Sequence, residues 1–437
     1  MDYGEGIMSD STILVKTLLD ENVDLKGKIV LVRVDHNVVK KGMVKGSYRV
    51  DATIPTLYNI VQKGGLPVLM THVGRPKDKK TGEINCSEND SIKPVASYLE
   101  AKLSIKVYCH EFPIIPGKGI PTLDDSIFES LDRLRKNKID MIYLPNTRWF
   151  AGEQAKDETR KTFTDELARI GDVYINDAFG SWDTHVSTVD IASRLPSYAG
   201  VLMKKEIVNM GRVLDPQKPF TGIIAGAKYD TKIGTIKALY QRVDKLILGG
   251  LMYNTFLAAK YNLDIKGVSA EDIALAKELV EIDKSQEKIV ELGYLIETDD
   301  MEIKKSGSFR KLSLKKLKQR GQCGYIVDVD PESFNDPLVK EAFSSAKTIF
   351  ANAVMGYMPY FPDGSRSLYQ TIFSVKGANK LLGGGDTLME LRSLCPGEYL
   401  DGWDREACYY FTGGGSVLKA IEHGTPYGLA PVKALLK

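Results

Sequence analysis

Four cationic side chains in the first half of the chain lie after short apolar runs or at a helix start beside them, and that placement suggests chemistry on an anion. KIVLVRV leads into Asp35-His36-Asn37, LPVLMT into His72-Val73-Gly74-Arg75, and IDMIYL into Pro145-Asn146-Thr147-Arg148. Arg49 opens a helix-like stretch in GSYRVD, and DVYIN leads into Asp177-Ala178-Phe179-Gly180. Arginine forks match phosphate and carboxylate oxygens in two-point contact. One arginine alone reads as a surface ion pair. Arg49, His72, Arg75 and Arg148 at successive strand ends read instead as one wall of a cleft for a small, highly anionic substrate.

Glycine dominates the corresponding places in the second half. FTGIIA leads to Gly226-Ala227-Lys228-Tyr229-Asp230-Thr231-Lys232, DKLIL to Gly249-Gly250, and TIFAN to Ala353-Val354-Met355-Gly356. KLL leads to Gly383-Gly384-Gly385-Asp386-Thr387, and YYFT to Gly413-Gly414-Gly415-Ser416. Glycine lets backbone N–H groups approach a phosphate, and helix N-termini add a favourable dipole. Asp386, directly after three glycines, is placed to hold Mg²⁺ through its nucleotide. Neither Walker A nor GxGxxG spacing occurs, so the nucleotide site is of another kind. An anion cleft in one half and a phosphate site in the other point to phosphoryl transfer across a closing interdomain cleft. Lys228, Lys232, the glycine amides and Mg²⁺ would neutralise the charge. No convincing catalytic base appears, which suits a carboxylate nucleophile already ionised at pH 7.

These residues need a scaffold that delivers strand ends to one place. Apolar runs at 28–34, 66–71, 105–109, 139–144 and 172–176 predict strands in the first half. Runs at 220–225, 244–248, 325–329, 348–352, 380–382 and 409–412 predict them in the second, with helical patterns between. Continuous apolar strands alternating with helices predict parallel sheets covered on both faces, an α/β class with two doubly wound domains. In such sheets ligands bind beyond the carboxyl ends of the strands. The boundary falls near 195–211, where LPSYAG precedes a helix-like VLMKKEIVNMG and then LDPQKP.

Composition removes several classes. The chain has 437 residues, 43% apolar, with 59 Lys plus Arg against 57 Asp plus Glu, a net charge of +2. That balance argues against nucleic acid as partner, and 304–322 (KKSGSFRKLSLKKLKQRGQ) reads as a solvated loop and helix face. Five cysteines without a CxxC pair and five scattered histidines predict neither a disulfide framework nor a zinc site. No signal peptide and no apolar run of about 18 residues is evident, so a reduced, cytoplasmic protein without a membrane span is expected.

In order and spacing, VRVDHNV, THVGRP, LPNTRWF, GDVYINDAFG, AGVLMKKE, AGAKYDTK, LGGLM, GGGDT and FTGGGS resemble the phosphoglycerate kinase family across nearly the whole chain. The resemblance implies two Rossmann-like three-layer domains in a hinged bilobal arrangement. Residues 1–203 would bind 3-phosphoglycerate or 1,3-bisphosphoglycerate, and 204–421 MgADP or MgATP. The tail 422–437 would pack back on the first domain, and the chain would act as a monomer. Asp35 and Asn37 then resemble the groups at the substrate's hydroxyl and carboxylate. His72, Arg75 and Arg148 resemble its phosphate and carboxylate binders, and Arg49 the arginine on the transferring phosphoryl group. Lys228 and Lys232 resemble the lysines that track the phosphates. Gly226, Ala227, Gly249, Gly250, Asn352, Gly356 and Gly384 resemble nucleotide-site positions. Asp386 resembles the Mg²⁺-nucleotide carboxylate with Thr387 beside it, and Gly385 and Gly414 the turns around the transferred group.

Three positions depart from the family pattern. After DAFG the chain reads Ser181-Trp182-Asp183-Thr184-His185, so Asp183 or Thr184 stands where the family has a phosphate-binding arginine. Asn352-Ala353-Val354 replaces an asparagine–glycine–proline turn, and Pro359 falls where a ribose-binding glutamate is expected. These departures leave room for a related carboxylate kinase with an altered substrate, or for a non-catalytic nucleotide-binding paralogue.

Overall fold

The computed structural model describes residues 13–20, 23–226, 229, 232–302 and 308–436. The chain divides into two compact units. One runs to Val208 and takes in Pro426 onward; the other spans Asn209–Thr425. The division falls within the helix Val201–Leu214.

In the first unit the strands are β1 (Ile29–Arg33), β2 (Val39–Lys40), β3 (Met43–Val44), β4 (Leu66–Met70), β5 (Val107–Cys109), β6 (Met141–Tyr143), β7 (Val173–Asn176) and β8 (Ser197–Ala199). Six of them form a parallel sheet in the order β5-β6-β4-β1-β7-β8, and β2 and β3 make a separate hairpin. All five residues of β1 are buried, as expected for a strand covered on both faces. The pairings Arg33↔Met70, Arg33↔Asn176 and Leu69↔Tyr143 align the carboxyl ends of four neighbouring strands. Helix Ile54–Gln62 turns Thr56, Leu57 and Ile60 inward, and helix Lys93–Leu103 turns Val95, Ala96 and Leu99 inward. Both pack into a core with Val30, Val32, Leu69 and Ile175. The C-terminal segment joins this unit: Val15 bridges Leu436, and the Leu14 amide donates to the Tyr427 hydroxyl at 3.2 Å.

The second unit contains β9 (Phe220–Ala225), β10 (Lys245–Gly249), β11 (Asp264–Ile265), β12 (Tyr294–Thr298), β13 (Phe309–Ser313), β14 (Gln322–Cys323), β15 (Tyr325–Val329), β16 (Thr348–Asn352), β17 (Asn379–Gly383) and β18 (Cys408–Phe411). The parallel sheet has the order β10-β9-β16-β17-β18. Its pairings Gly249↔Ala225, Asn352↔Ile224 and Gly383↔Phe411 bring the glycine-bearing turns to one edge.

Two local readings change. Tyr325–Val329, read as a strand of the parallel sheet, lies in an antiparallel sheet ordered β13-β12-β15. Its apolar run resembles a two-face-buried strand, but Tyr325 and Ile326 are only partly covered. The described part of 304–322 forms β13 and the helix Leu314–Arg320, and four of its cations sit in ion pairs. Arg310 pairs with the buried Glu297 at 3.0 Å and with Asp299 at 2.7 Å. Lys311 pairs with Asp330 at 2.9 Å, and Lys318 with Glu291 at 3.5 Å. Among the described residues no helix is long and apolar enough to cross a membrane.

Candidate active site

The first unit's site grows from the end of β1. Arg33, the last residue of that strand, is fully buried. Its Nε donates to the Ser187 hydroxyl at 2.9 Å, and Nη2 lies 3.0 Å from His72 Nδ1. Ser187 in turn donates to Glu153 at 2.5 Å, and its amide meets the second carboxylate oxygen at 2.9 Å. A cation and an anion, both sealed from water, are thus linked through one hydroxyl. Breaking such an arrangement on one side leaves an uncompensated charge. Burial pushes the Glu153 carboxyl up, with Arg33 opposing.

A guanidinium only donates, so His72 Nδ1 must accept and the ring proton sits on Nε2. Burial, reinforced by Arg33, Arg148, His185 and Arg49, holds His72 well below the usual histidine range. His72 therefore acts as a neutral, orientation-fixed hydrogen-bond group rather than a cation, which corrects the charge expected from its sequence position. His36 is a satisfied core residue. Its Nε2 meets Thr53 Oγ1 at 2.9 Å and its Nδ1 meets the Tyr143 hydroxyl at 2.8 Å, and burial takes it down to about 3.

Asp35, Asn37, Arg49 and Arg148 come together around the loop after β4. Arg49 lies 3.4 Å from the buried Asp35 carboxylate. Asn37 Oδ1 accepts from the Gly74 amide at 3.0 Å, and Arg148 Nη1 donates to the Gly74 carbonyl at 2.6 Å. Gly74 is required there: φ is +61°, and a Cβ would sit 2.7 Å from Asp90 Oδ1. Asn146 clamps the same loop. Its side chain accepts from the Val73 amide at 3.1 Å and donates to the Val73 carbonyl at 2.7 Å. Arg75 is exposed, and no described carboxylate pairs with it.

Asp183 and His185 lie in this cluster. Asp183 Oδ2 is 3.6 Å from Arg148 Nη2. His185 Nε2 faces Gln154 Nε2 at 3.2 Å, and burial followed by Arg148 lowers its pKa to about 4. Arg33, Glu153, Ser187 and Asn146 are absent from the sequence-level site. A charged residue inside an otherwise apolar strand was the available signal for Arg33; Glu153 carried none.

In the second unit Lys232 stands at the end of the loop after β9. Its Nζ donates to the Ala225 carbonyl at 2.9 Å and to Asn352 Oδ1 at 3.3 Å. Asn352 is oriented by donating to the Gly383 carbonyl at 2.7 Å. Burial draws Lys232 below the ordinary lysine range, and Asp386 acts against that. Among the described residues these two acceptors take two of its three ammonium protons. Ala227 and Lys228, also expected at this site, lie outside the described residues.

The glycines permit close backbone approach. Gly384 has φ +108°, and a Cβ there would lie 2.7 Å from Asn352 Nδ2. At Gly414 a Cβ would lie 2.8 Å from Gly384 Cα, so the turns after β17 and β18 touch. At Gly250, φ +61°, it would come within 3.0 Å of the Gly226 carbonyl, and at Gly249 within 2.2 Å of Met355 Sδ. Gly385 begins the helix Gly385–Leu394, with Asp386 exposed in its first turn. Thr387 is buried and accepts the Ala353 amide at 3.0 Å. Gly356 is held differently: it packs against the Phe361 carbonyl and the Asp328 carboxylate of β15. Among the described residues no group of three or more His, Cys, Asp or Glu could hold a metal ion. Mg²⁺ commonly keeps several waters and takes one or two carboxylates plus substrate phosphates, so a single exposed Asp386 fits an ion that arrives with a nucleotide.

Comparison with known proteins follows the same lines. Residues 20–424 match the family described as Phosphoglycerate kinase. The phosphoglycerate kinase of Dictyoglomus turgidum is 33% identical over 416 residues, 93% of this chain and 96% of that protein. That of Fervidobacterium nodosum is 32% identical over 431 residues, 96% and 98% of the two chains. Among solved structures, phosphoglycerate kinase from Coxiella burnetii superposes with a TM-score of 0.71 at 24% identity, covering 95% of this chain and 98% of that one. The enzyme from Pyrococcus horikoshii OT3 gives 0.74 at 22% identity over the same shares, and both likenesses speak for the fold.

Proposed function

The chain belongs to the phosphoglycerate kinase family, and on that premise we propose that it transfers a phosphoryl group reversibly between ATP and the carboxylate of 3-phosphoglycerate. The products are ADP and 1,3-bisphosphoglycerate. A carboxylate oxygen forms the new O–P bond as the bond from the γ-phosphorus to the β-bridging oxygen breaks. No proton moves at the nucleophile, so charge neutralisation and positioning supply the catalysis.

In this reading the first unit holds the acceptor. Arg75 and Arg148 bind its anionic end, neutral His72 donates from Nε2, and Asp35 and Asn37 orient its hydroxyl and carboxylate. Arg49 bears on the transferring group. The second unit holds the nucleotide: Gly226, Ala227, Gly249, Gly250 and Gly356 line its pocket. The amides at Gly384, Gly385 and Gly414 receive phosphate oxygens, while Asn352 and Thr387 brace those turns. Asp386 would hold Mg²⁺, whose charge would offset the phosphates. Lys228 and Lys232 stay with the phosphoryl group as it moves. We further propose a monomer located in the cytoplasm.

The observation that carries this reading is Lys232, half-desolvated, held by Ala225 and Asn352, with Asp386 within electrostatic reach. Steady-state kinetics with 3-phosphoglycerate and MgATP test it. Saturation in both substrates supports it, and nucleotide hydrolysis independent of 3-phosphoglycerate would contradict it.

A further inference from the structure

We propose that Asp183 is an internal anion that occupies Arg148 and competes with the substrate for it, making Asp183 a determinant of acceptor affinity. The inference rests on the acceptor site proposed above. It starts from the asymmetry of the pair. The Arg148 side chain is 10% exposed and the Asp183 side chain 55%, at 3.6 Å. Arg148 spends Nη1 on the Gly74 carbonyl at 2.6 Å, whereas its buried Nε has no partner among the described residues. The arginine is therefore fixed and incompletely satisfied, as a group awaiting an anion would be.

Asp183 is fixed only through its backbone. Its carbonyl accepts from the His185 amide at 3.1 Å and from the Thr188 hydroxyl at 2.7 Å. The carboxylate reaches Arg148 at a distance longer than a charge-assisted hydrogen bond and is open to water on its other side. It can leave without unfolding the loop. Arg49 is already taken by Asp35, and His72 and His185 are held neutral, which leaves Arg148 and the exposed Arg75 as the cations open to an anion here. One acidic side chain thus changes the local balance by a full charge. A phosphate or carboxylate entering against Arg148 must displace Asp183 first, and repulsion persists while that carboxylate stays nearby.

The test compares native protein, Asp183→Asn and a charge control, Asp165→Asn. Asp165 pairs with Arg194 on the surface. Asparagine keeps the backbone contacts of residue 183, so folding is preserved. Asp183→Asn is expected to lower KM for 3-phosphoglycerate at least about tenfold, equivalent to ~1.4 kcal/mol. KM for ATP should hold within about twofold, and Asp165→Asn should change neither. An unchanged or raised acceptor KM in Asp183→Asn, or an equal fall in Asp165→Asn, overturns the proposal. Calorimetric titration with 3-phosphoglycerate reads the same competition without turnover. Tighter binding by Asp183→Asn upholds it even if phosphoryl transfer is absent, which would sink only the activity reading. Equal binding by both proteins overturns it.

Discussion

Arg33 donates to His72 Nδ1 at 3.0 Å, and that contact decides the state of the imidazole. Because arginine has no lone pair to offer, the histidine is the acceptor and carries its proton on Nε2. Nitrogen-15 NMR on labelled histidine should show His72 neutral and Nε2-protonated from pH 8 to 5. Titration of that ring near 6.5 would contradict the arrangement.

Removal of Arg33 should cost more than a contact. Arg33→Met leaves Glu153, fully buried, without its cation. Breaking one side of a buried pair destabilises by about 3–5 kcal/mol. Denaturant unfolding followed by probes in the first unit should show that loss. A change under about 1 kcal/mol would mean that Glu153 is protonated and indifferent to Arg33.

Acid should act oppositely on the two units. In the first, His36 is lowered to about 3, His185 to about 4, and His72 and His110 are lowered as well. A depressed histidine adds stability above the unfolded pKa and loses it as pH falls, because only the unfolded chain takes the proton. Asp177, raised to about 6, and Glu153, also raised, work in the other direction and offset part of that loss. The histidines outnumber the two carboxylates, so the first unit should lose stability as pH falls below about 6. In the second unit Asp328, raised to about 7 chiefly by burial, makes the fold gain stability as pH falls through 7. Hydrogen exchange at pH 7 and 5, corrected for intrinsic rates, should show protection falling around β1 and holding or rising around β15. Equal shifts in both would contradict the assignment.

Gly384→Ala should damage the proposed nucleotide site before the fold as a whole. The added methyl meets Asn352 Nδ2 at 2.7 Å in a left-handed backbone. Strain of this kind costs about 1–3 kcal/mol. Asn352 would then turn away from Lys232. Turnover should drop by more than about tenfold with acceptor binding unchanged. A variant with native kinetics would show that the turn does not need glycine.

Metal dependence separates the carboxylate from the lysine. Turnover should vanish in excess chelator and return with Mg²⁺, and Asp386→Asn should raise the Mg²⁺ needed for half-maximal rate. Lys232→Ala should instead lower kcat by about 10²–10³ without changing that requirement. If both variants shift only the metal requirement, Lys232 has no part in stabilising the transferred group.

Much of this was legible because α/β strand ends are regular. Arg148 and Lys232 lie in the loops that follow apolar strands, so their place and residue type located them. Arg33 escaped because it lies inside a strand and serves other side chains rather than a ligand. Glu153 and Ser187 meet it only through tertiary folding, with 154 residues separating Arg33 from Ser187. The antiparallel sheet escaped because Tyr294–Thr298 and Phe309–Ser313 are half-covered, short and mixed in polarity. The charge of His72 was misjudged because burial, which a sequence does not display, sets it.

The central claim is that a carboxylate receives the phosphoryl group. Hydroxylamine trapping tests that bond itself, since an acyl phosphate yields a hydroxamate and an ordinary phosphate ester does not. Incubation with 3-phosphoglycerate and MgATP should produce hydroxamate in step with ADP, and Lys232→Ala should suppress both. ADP release from the native protein with no hydroxamate formed would contradict the account.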